Sequence, residues 1–363
     1  MCIRDRLVGF APETQGSNVF AISGDGTTAS GQSSDGTFPY TGPPGFTWTV
    51  GAGRVDFNEP GLSPAFALSA DGSVAAGGAA AVFGEPVRPY RRQGVGLLEL
   101  LNNASGYTRG HANGISGDGT VVVGTSQRGP NSLTDGQAFR WTSQTGTVGL
   151  GYLRPSSFYS EAQAISGDGS TIVGSSHQFG PGGPVEAYAW TAQTGMRALP
   201  QLPGAANVWT IASGISSSGE FIVGEARTAA GRTFAARWSS DESVRSLGTW
   251  SDYAGSQAYA VSDNGMVVAG TLGNSQSLQP GIAFAWTEAA GMEPLAEYLI
   301  RNGVDVPTGW RLDRCVAMSS DGLTFGGTAR GPSGAQGFVA TIPAPCPLVV
   351  VLGYGVRISR RRR

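Results

Sequence analysis

The chain has 363 residues, 40% of them hydrophobic and 57 of them glycine, and its basic residues are 24 arginines with no lysine, against 26 acids. Two arginines lie in the first six residues and five in the last seven, so residues 7 to 342 hold 17 arginines against 25 acids, a formal −8. That length and composition can bury a large core, while an acidic body argues against binding a phosphate backbone and suits a soluble extracellular protein.

Residues 1 to 6, MCIRDR, read as neither strand nor signal peptide. They resemble the translation of a transposase sequencing adapter and are set apart as an artefact with Cys2, any export signal being expected to have gone with the natural N-terminus. Leu7 to Gly16 then has the character of a fourth β-strand lacking the three that should precede it.

From there the chain repeats. Ser23, Ser69, Ser116, Ser166, Ser216, Ser262 and Ser319 recur at intervals of 46 to 57 residues. Three residues after each serine stands a glycine: Gly26, Gly72, Gly119, Gly169, Gly219, Gly265 and Gly322. Eight residues after it stands another: Gly31, Gly77, Gly124, Gly174, Gly224, Gly270 and Gly327. Apolar and β-branched runs on either side of Ser-x-Asp-Gly read as a β-hairpin, with glycine supplying a positive φ. A third strand carrying Trp follows in five copies (Phe46 to Trp48, Ala138 to Trp141, Ala187 to Thr191, Ala235 to Trp238, Ala283 to Trp286), with an aromatic two residues before the Trp in four of them, and a fourth short strand follows it.

Four strands per repeat, seven times, predict an all-β chain: a seven-bladed β-propeller of four-stranded antiparallel blades. Val19, Ala65, Ala112, Ala162, Ala212, Ala258 and Cys315, four residues before the serines, are small enough for the crowded axis, so Cys315 is read as a small buried side chain. The last repeat ends at Gly337 to Ile342 after three strands, so the N-terminal strand is expected to join the last blade and close the ring. One helix is expected, within Glu293 to Val304, from the spacing of Leu295, Tyr298 and Leu299 and the stop at Gly303.

Residues 343 to 363 divide into a proline-rich turn (Pro343, Ala344, Pro345), an apolar run from Leu348 to Val356 that is too short to span a bilayer, and a basic end with Arg360, Arg361, Arg362 and Arg363. This tail resembles a PEP-CTERM sorting signal of Gram-negative bacteria, with Pro-Ala-Pro in place of Pro-Glu-Pro. Residues 7 to 342 resemble the HAF repeats of extracellular bacterial proteins. The resemblances imply export, recognition of the tail by an exosortase-type machinery, and only transient membrane association. They bring no established activity.

The search for chemistry yields little. His111 and His177 lie in different repeats without metal-binding spacing and are read as surface or loop residues. The repeated Ser-Gly-Asp-Gly is followed by β-branched residues rather than a helix, so it is not a phosphate loop, and a sevenfold serine is not a nucleophile. Asp25, Asp71, Asp118, Asp168 and Asp321 are read as turn formers rather than calcium ligands, since no copy alternates acids as a calcium loop does. Glu161, Glu186, Asp252 and Asp313 are scattered acids from which a glycosidase pair could come.

No cofactor, metal, catalytic residue or nucleic-acid partner is therefore expected. The reading is a secreted or cell-surface binding or scaffold module, associated with extracellular polysaccharide or a surface protein. The alternative is a propeller hydrolase or lyase acting on extracellular glycans; unrepeated acids, arginines and aromatics gathered on one face of the ring would favour it.

Overall fold

A computed structural model describes residues 8–9, 16–33, 45–57, 62–79, 86–94, 96–129, 135–178, 183–205, 208–251, 253–273, 281–332 and 334–343. The Ser166 repeat shows how the sequence builds its sheet. Ser157–Ile165 pairs antiparallel with Ile172–Gln178, which pairs with Val185–Thr191, which pairs with Gly195–Ala198. At the first hairpin the Ser166 hydroxyl donates to Asp168 Oδ1 at 2.6 Å and accepts from the Thr171 amide at 3.0 Å, while the Ser170 amide donates to the same aspartate oxygen. Gly169 sits at φ +72°, where an L side chain is strained.

Each turn serine is buried and forms the same clip. Where aspartate is replaced, Ser218 bonds to Ser216 at 2.9 Å, and Asn264 Oδ1 accepts from Ser262 at 2.8 Å. The glycine eight residues on answers to a different constraint. Every first strand carries a β-bulge four to two residues before its serine, as between Ala162 and Ala164. Just before the bulge a carbonyl leans over the second glycine. A Cβ on Gly77 would lie 2.6 Å from the Pro64 carbonyl oxygen, and in the other six repeats it would lie closer still to the matching carbonyl. Directly across from six of these glycines stands an aromatic of the third strand, such as Phe139 opposite Gly124, which fills the space left by the missing side chain.

Among the described residues the strands form five four-stranded sheets and one eight-stranded sheet; in the latter the Ser116 and Ser166 repeats are joined by one parallel pair, Gly136 with Tyr159. The hydrophobic core is divided among the gaps between consecutive repeats. Val121, Val123 and Ala138 of one repeat pack on Ala162, Ile165 and Tyr188 of the next, and Val19, Ile22 and Phe46 of the first pack on Ala317 and Val339 of the last. At the turn end, backbone bonds step from repeat to repeat: Asp25 amide to Ala70 carbonyl, Ala70 to Gly117, Gly117 to Gly167, Gly167 to Ser217, Asp263 to Ser320, and Ser320 back to Gly24, all 2.8 to 2.9 Å. The Ser217 amide bonds instead to Asp263 Oδ1 at 2.7 Å.

Four more links use a buried hydroxyl six residues before the turn serine. Ser17, Ser160, Thr210 and Ser256 accept from the amides of Gly337, Ala138, Ala187 and Ala235 in the preceding repeat. Val8–Gly9 pairs antiparallel with Gly334–Thr341 as the fourth strand of the last sheet, where the sequence puts it. The helix spans Leu295–Arg301, shorter than expected because Gly291–Pro294 continues as strand, and it buries Leu295, Tyr298 and Leu299. Ala344, Pro345 and Arg360 to Arg363 of the tail lie outside the described residues; Pro343 lies within them.

Candidate binding site at the channel mouth

The third residue before each turn serine lies within the bulge, where strict alternation is broken, and in one repeat it reaches the fifth, Tyr259 Oη bonding to Gln257 Oε1. The third residues are Phe20, Phe66, Asn113, Gln163, Ser213, Tyr259 and Val316. Together with the residues just before the serines they line a cavity of about 230 Å³ bounded by the first strand of every repeat. At the turn end its wall is uniformly aliphatic or Met: Ile22, Leu68, Ile115, Ile165, Ile215, Val261 and Met318. Two residues up it is mixed, with a Phe20–Phe66 edge-to-face pair at 5.4 Å on one side and amide, hydroxyl and phenol groups on the other. Two residues further along the same strands, beyond the residues that line the cavity and at the end away from the turns, which we call the mouth, stand Asn18, Pro64, His111, Glu161, Ile211, Gln257 and Arg314, no two alike.

One cluster at the mouth surrounds Glu161. Its carboxylate accepts from Ser175 Oγ at 2.9 Å and from Tyr159 Oη at 3.2 Å. Ser175 Oγ lies 3.1 Å from His177 Nε2, and the Tyr159 and His177 rings meet edge to face at 5.1 Å. Since the serine's single proton goes to the carboxylate, His177 must be the donor to its oxygen. The acceptor of the Ser175 proton is thus Glu161 and not His177, which differs from the Ser–His order of a hydrolase triad. Burial pushes both histidines below the ordinary imidazole range, against the opposing pull of Glu161.

These positions correct the reading of both histidines. His111 lies within the strand Arg109–Ile115 and His177 within Ile172–Gln178, partly buried beside Glu161. Neither is a loop residue, because each is paired within a strand, His111 with Thr125 and His177 with Tyr159 and Val185.

A second cluster runs across three repeats. Trp209 Nε1 donates to Glu225 Oε1 at 3.3 Å, Gln257 Nε2 donates to Glu225 Oε2 at 2.6 Å, and Tyr259 Oη donates to Gln257 Oε1 at 2.7 Å. Guanidinium groups stand over both aromatic ends, Arg227 at 5.1 Å from the Trp209 ring and Arg314 at 4.6 Å from the Tyr259 ring. Burial raises the Glu225 carboxyl above the usual range, with Gln257, Trp209 and Arg227 opposing it, and burial also raises the Tyr259 phenol. Glu225 escaped the sequence reading, although its place nine residues after a turn serine, where Ser175 also stands, was the available signal.

The other acids divide. Glu161 is in the mouth. Glu186 is buried, bonded by Arg154 at 2.9 and 3.1 Å and by Gln178; Asp313 is held between Arg311 and Arg330; Asp252 lies outside the described residues. The turn aspartates are occupied within their own hairpins, and no group of three or more His, Cys, Asp or Glu among the described residues is placed to hold a metal. Cys315 is buried without a disulfide, its thiol pushed up to about 12 by burial.

No protein-family model matches the chain, and no curated protein does. Solved structures do. Oligogalacturonate lyase from Vibrio parahaemolyticus matches at a TM-score of 0.60 and 11% identity over 94% of this chain and 96% of that one. The β-propeller domain of the Trilobed protease from Pyrococcus furiosus matches at 0.57 and 9%, over 97% and 99%. TolB from Acinetobacter baumannii gives 0.45 and 18%, and the chain spans 62% of its length. At such identities the likeness concerns the fold: this is an all-β chain of four-stranded antiparallel sheets in the β-propeller architecture.

Proposed function

We propose that the chain is a seven-bladed propeller closed by its N-terminal strand, and that its channel mouth is the binding site of an exported, surface-associated module for extracellular polysaccharide. Closure is supported by the pairing of Val8 with Val339 and by the bond from Ser320 to Gly24. Export and surface association rest on the likeness to HAF repeats and to a PEP-CTERM tail handled by an exosortase-type machinery. The observation that carries the binding reading is the mouth wall itself. Seven equivalent positions that architecture alone would fill alike hold seven different residues, and the side chains around them are tied in fixed hydrogen-bonded sets. A sugar has an apolar C–H face and a hydroxyl edge. Rigid aromatics interleaved with amides and carboxylates in a concave site match both.

A second reading, glycan cleavage, draws support from the unrepeated acids on the same face, above all Glu225, whose raised pKa suits a proton donor. Screening the full chain on a glycan array beside a reducing-sugar assay on the same polysaccharides separates the two. Binding without release is the expected result, release selects the enzyme, and no binding at all sinks both.

A further inference from the structure

We propose that the mouth selects polysaccharides whose sugars carry carboxylates, and that Arg227 and Arg314 are the residues that read the negative charge. This rests on the binding reading above and narrows its ligand. The two guanidinium groups stand at opposite ends of the set Trp209, Glu225, Gln257 and Tyr259, which crosses from the Ser216 repeat through the Ser262 repeat to the edge of the Ser319 repeat.

Their surroundings differ from those of the arginines nearby. Arg311 and Arg330 share Asp313, whereas neither Arg227 nor Arg314 has a carboxylate within ion-pair distance among the described residues. Glu225, whose charge Arg227 feels, has both oxygens engaged by Gln257 and Trp209. Arg227 Nε is buried with no hydrogen-bond partner among the described residues, and a buried donor without an acceptor is costly until something supplies one. Each guanidinium stands over a ring; Arg227 keeps an Nε unpartnered among the described residues, and Arg314, which also bonds the Tyr259 side chain, is exposed with the rest of its N–H fork. That fork matches a carboxylate with two parallel hydrogen bonds.

Two cations at the ends of a run of indole, carboxyl, amide and phenol groups, whose carboxyl, Glu225, is already engaged by Trp209 and Gln257, suit a chain in which charge recurs between hydroxyl-bearing rings. They suit a uniformly neutral glycan poorly. The acidic body raises the selectivity of such a site, since long-range repulsion disfavours polyanions everywhere that a specific pair of arginines does not hold them.

The test uses the full chain, with polygalacturonate, its fully methyl-esterified form, dextran sulfate and dextran as probes. The proposal expects polygalacturonate to bind, methyl esterification to weaken binding at least about tenfold, and Arg314→Gln and Arg227→Gln each to do the same. Arg245→Gln, which alters an exposed arginine paired with Glu288, should change nothing. Thermal unfolding of each variant checks that the fold is intact; were Arg227→Gln to unfold, Arg314→Gln and the ester comparison would still decide. Equal binding of the acid and its ester, or of dextran, with loss on Tyr259→Ala, overturns the charge reading and leaves the mouth as a glycan site. Dextran sulfate binding as tightly as polygalacturonate overturns carboxylate selection. No binding to any probe, in this set or on the array, fails the broader reading as well.

Discussion

At the turn end the seven repeats place equivalent atoms in equivalent bonds: a buried serine, an acceptor two residues on, a glycine at positive φ and a wall of aliphatic side chains. Four residues up the same strands no two repeats present the same side chain. The difference teaches that one strand serves two purposes. Its lower half satisfies geometric demands common to every sheet, so its residues are interchangeable between repeats. Its upper half keeps a small residue four before the serine and, in four repeats, a linking hydroxyl six before it, but the side chain at the fifth position is free of such demands and differs in every repeat.

The comparison can be tested by substitution. Gly224→Ala should have the largest effect, because the new Cβ would be driven into the Ile211 carbonyl at the bulge. About 3 kcal/mol or more of stability should be lost by denaturant unfolding, and a change below about 1 kcal/mol would mean that the bulge yields. Ser116→Ala comes next. It leaves the Val121 amide, bonded to Ser116 Oγ at 2.9 Å, without a partner, and about 2 kcal/mol should go. Acid should produce a smaller loss. Hydrogen bonds hold Asp118 and Asp168 below the ordinary aspartate range, and Asp71 down to about 2. A depressed carboxyl stabilises the fold above its unfolded pKa and ceases to as pH falls through the folded one. The melting temperature should therefore drop between about pH 4 and pH 2, and Asp71→Asn should flatten that drop. Arg314→Gln should be the mildest for stability, within about 0.5 kcal/mol, while weakening polygalacturonate binding at least about tenfold. If it destabilised the protein as Ser116→Ala does, the division between the two halves of the strand would collapse.

Much of the turn end was legible in the sequence because every copy must meet the same local constraint there. The hairpin, the positive-φ glycines, the buried third-strand aromatics, the buried face of the helix and the fourth strand supplied by Val8–Gly9 all follow from residues that recur or are conspicuously missing. The second glycine was visible as a pattern, but its cause, a carbonyl pressed down by a bulge, is a three-dimensional matter. The hydroxyls of Ser17, Ser160, Thr210 and Ser256 could have been found, since they stand at one fixed distance before the turn serine.

The mouth was not legible as a site. Its members come from different repeats and become neighbours only when the sheets are arranged around the cavity, so no local motif joins Glu225 to Tyr259 or His111 to Glu161. A register argument would still have helped. His111 and Glu161 both stand five residues before a turn serine, which places them on one wall and takes the histidine out of any loop.

The strand Val8–Gly9 has a consequence for how the protein is made. It belongs to a sheet whose other three strands are synthesised last, and the Gly337 amide meets the Ser17 hydroxyl across 320 residues of chain. Contacts so distant in sequence form late. A ribosome therefore releases nearly the whole polypeptide before its opening strand finds a partner. Through that interval the first repeat lacks Ala317 and Val339, the apolar neighbours that cover its inner face. The inner face of the first repeat is therefore completed only by strands that lie about 300 residues away in the chain.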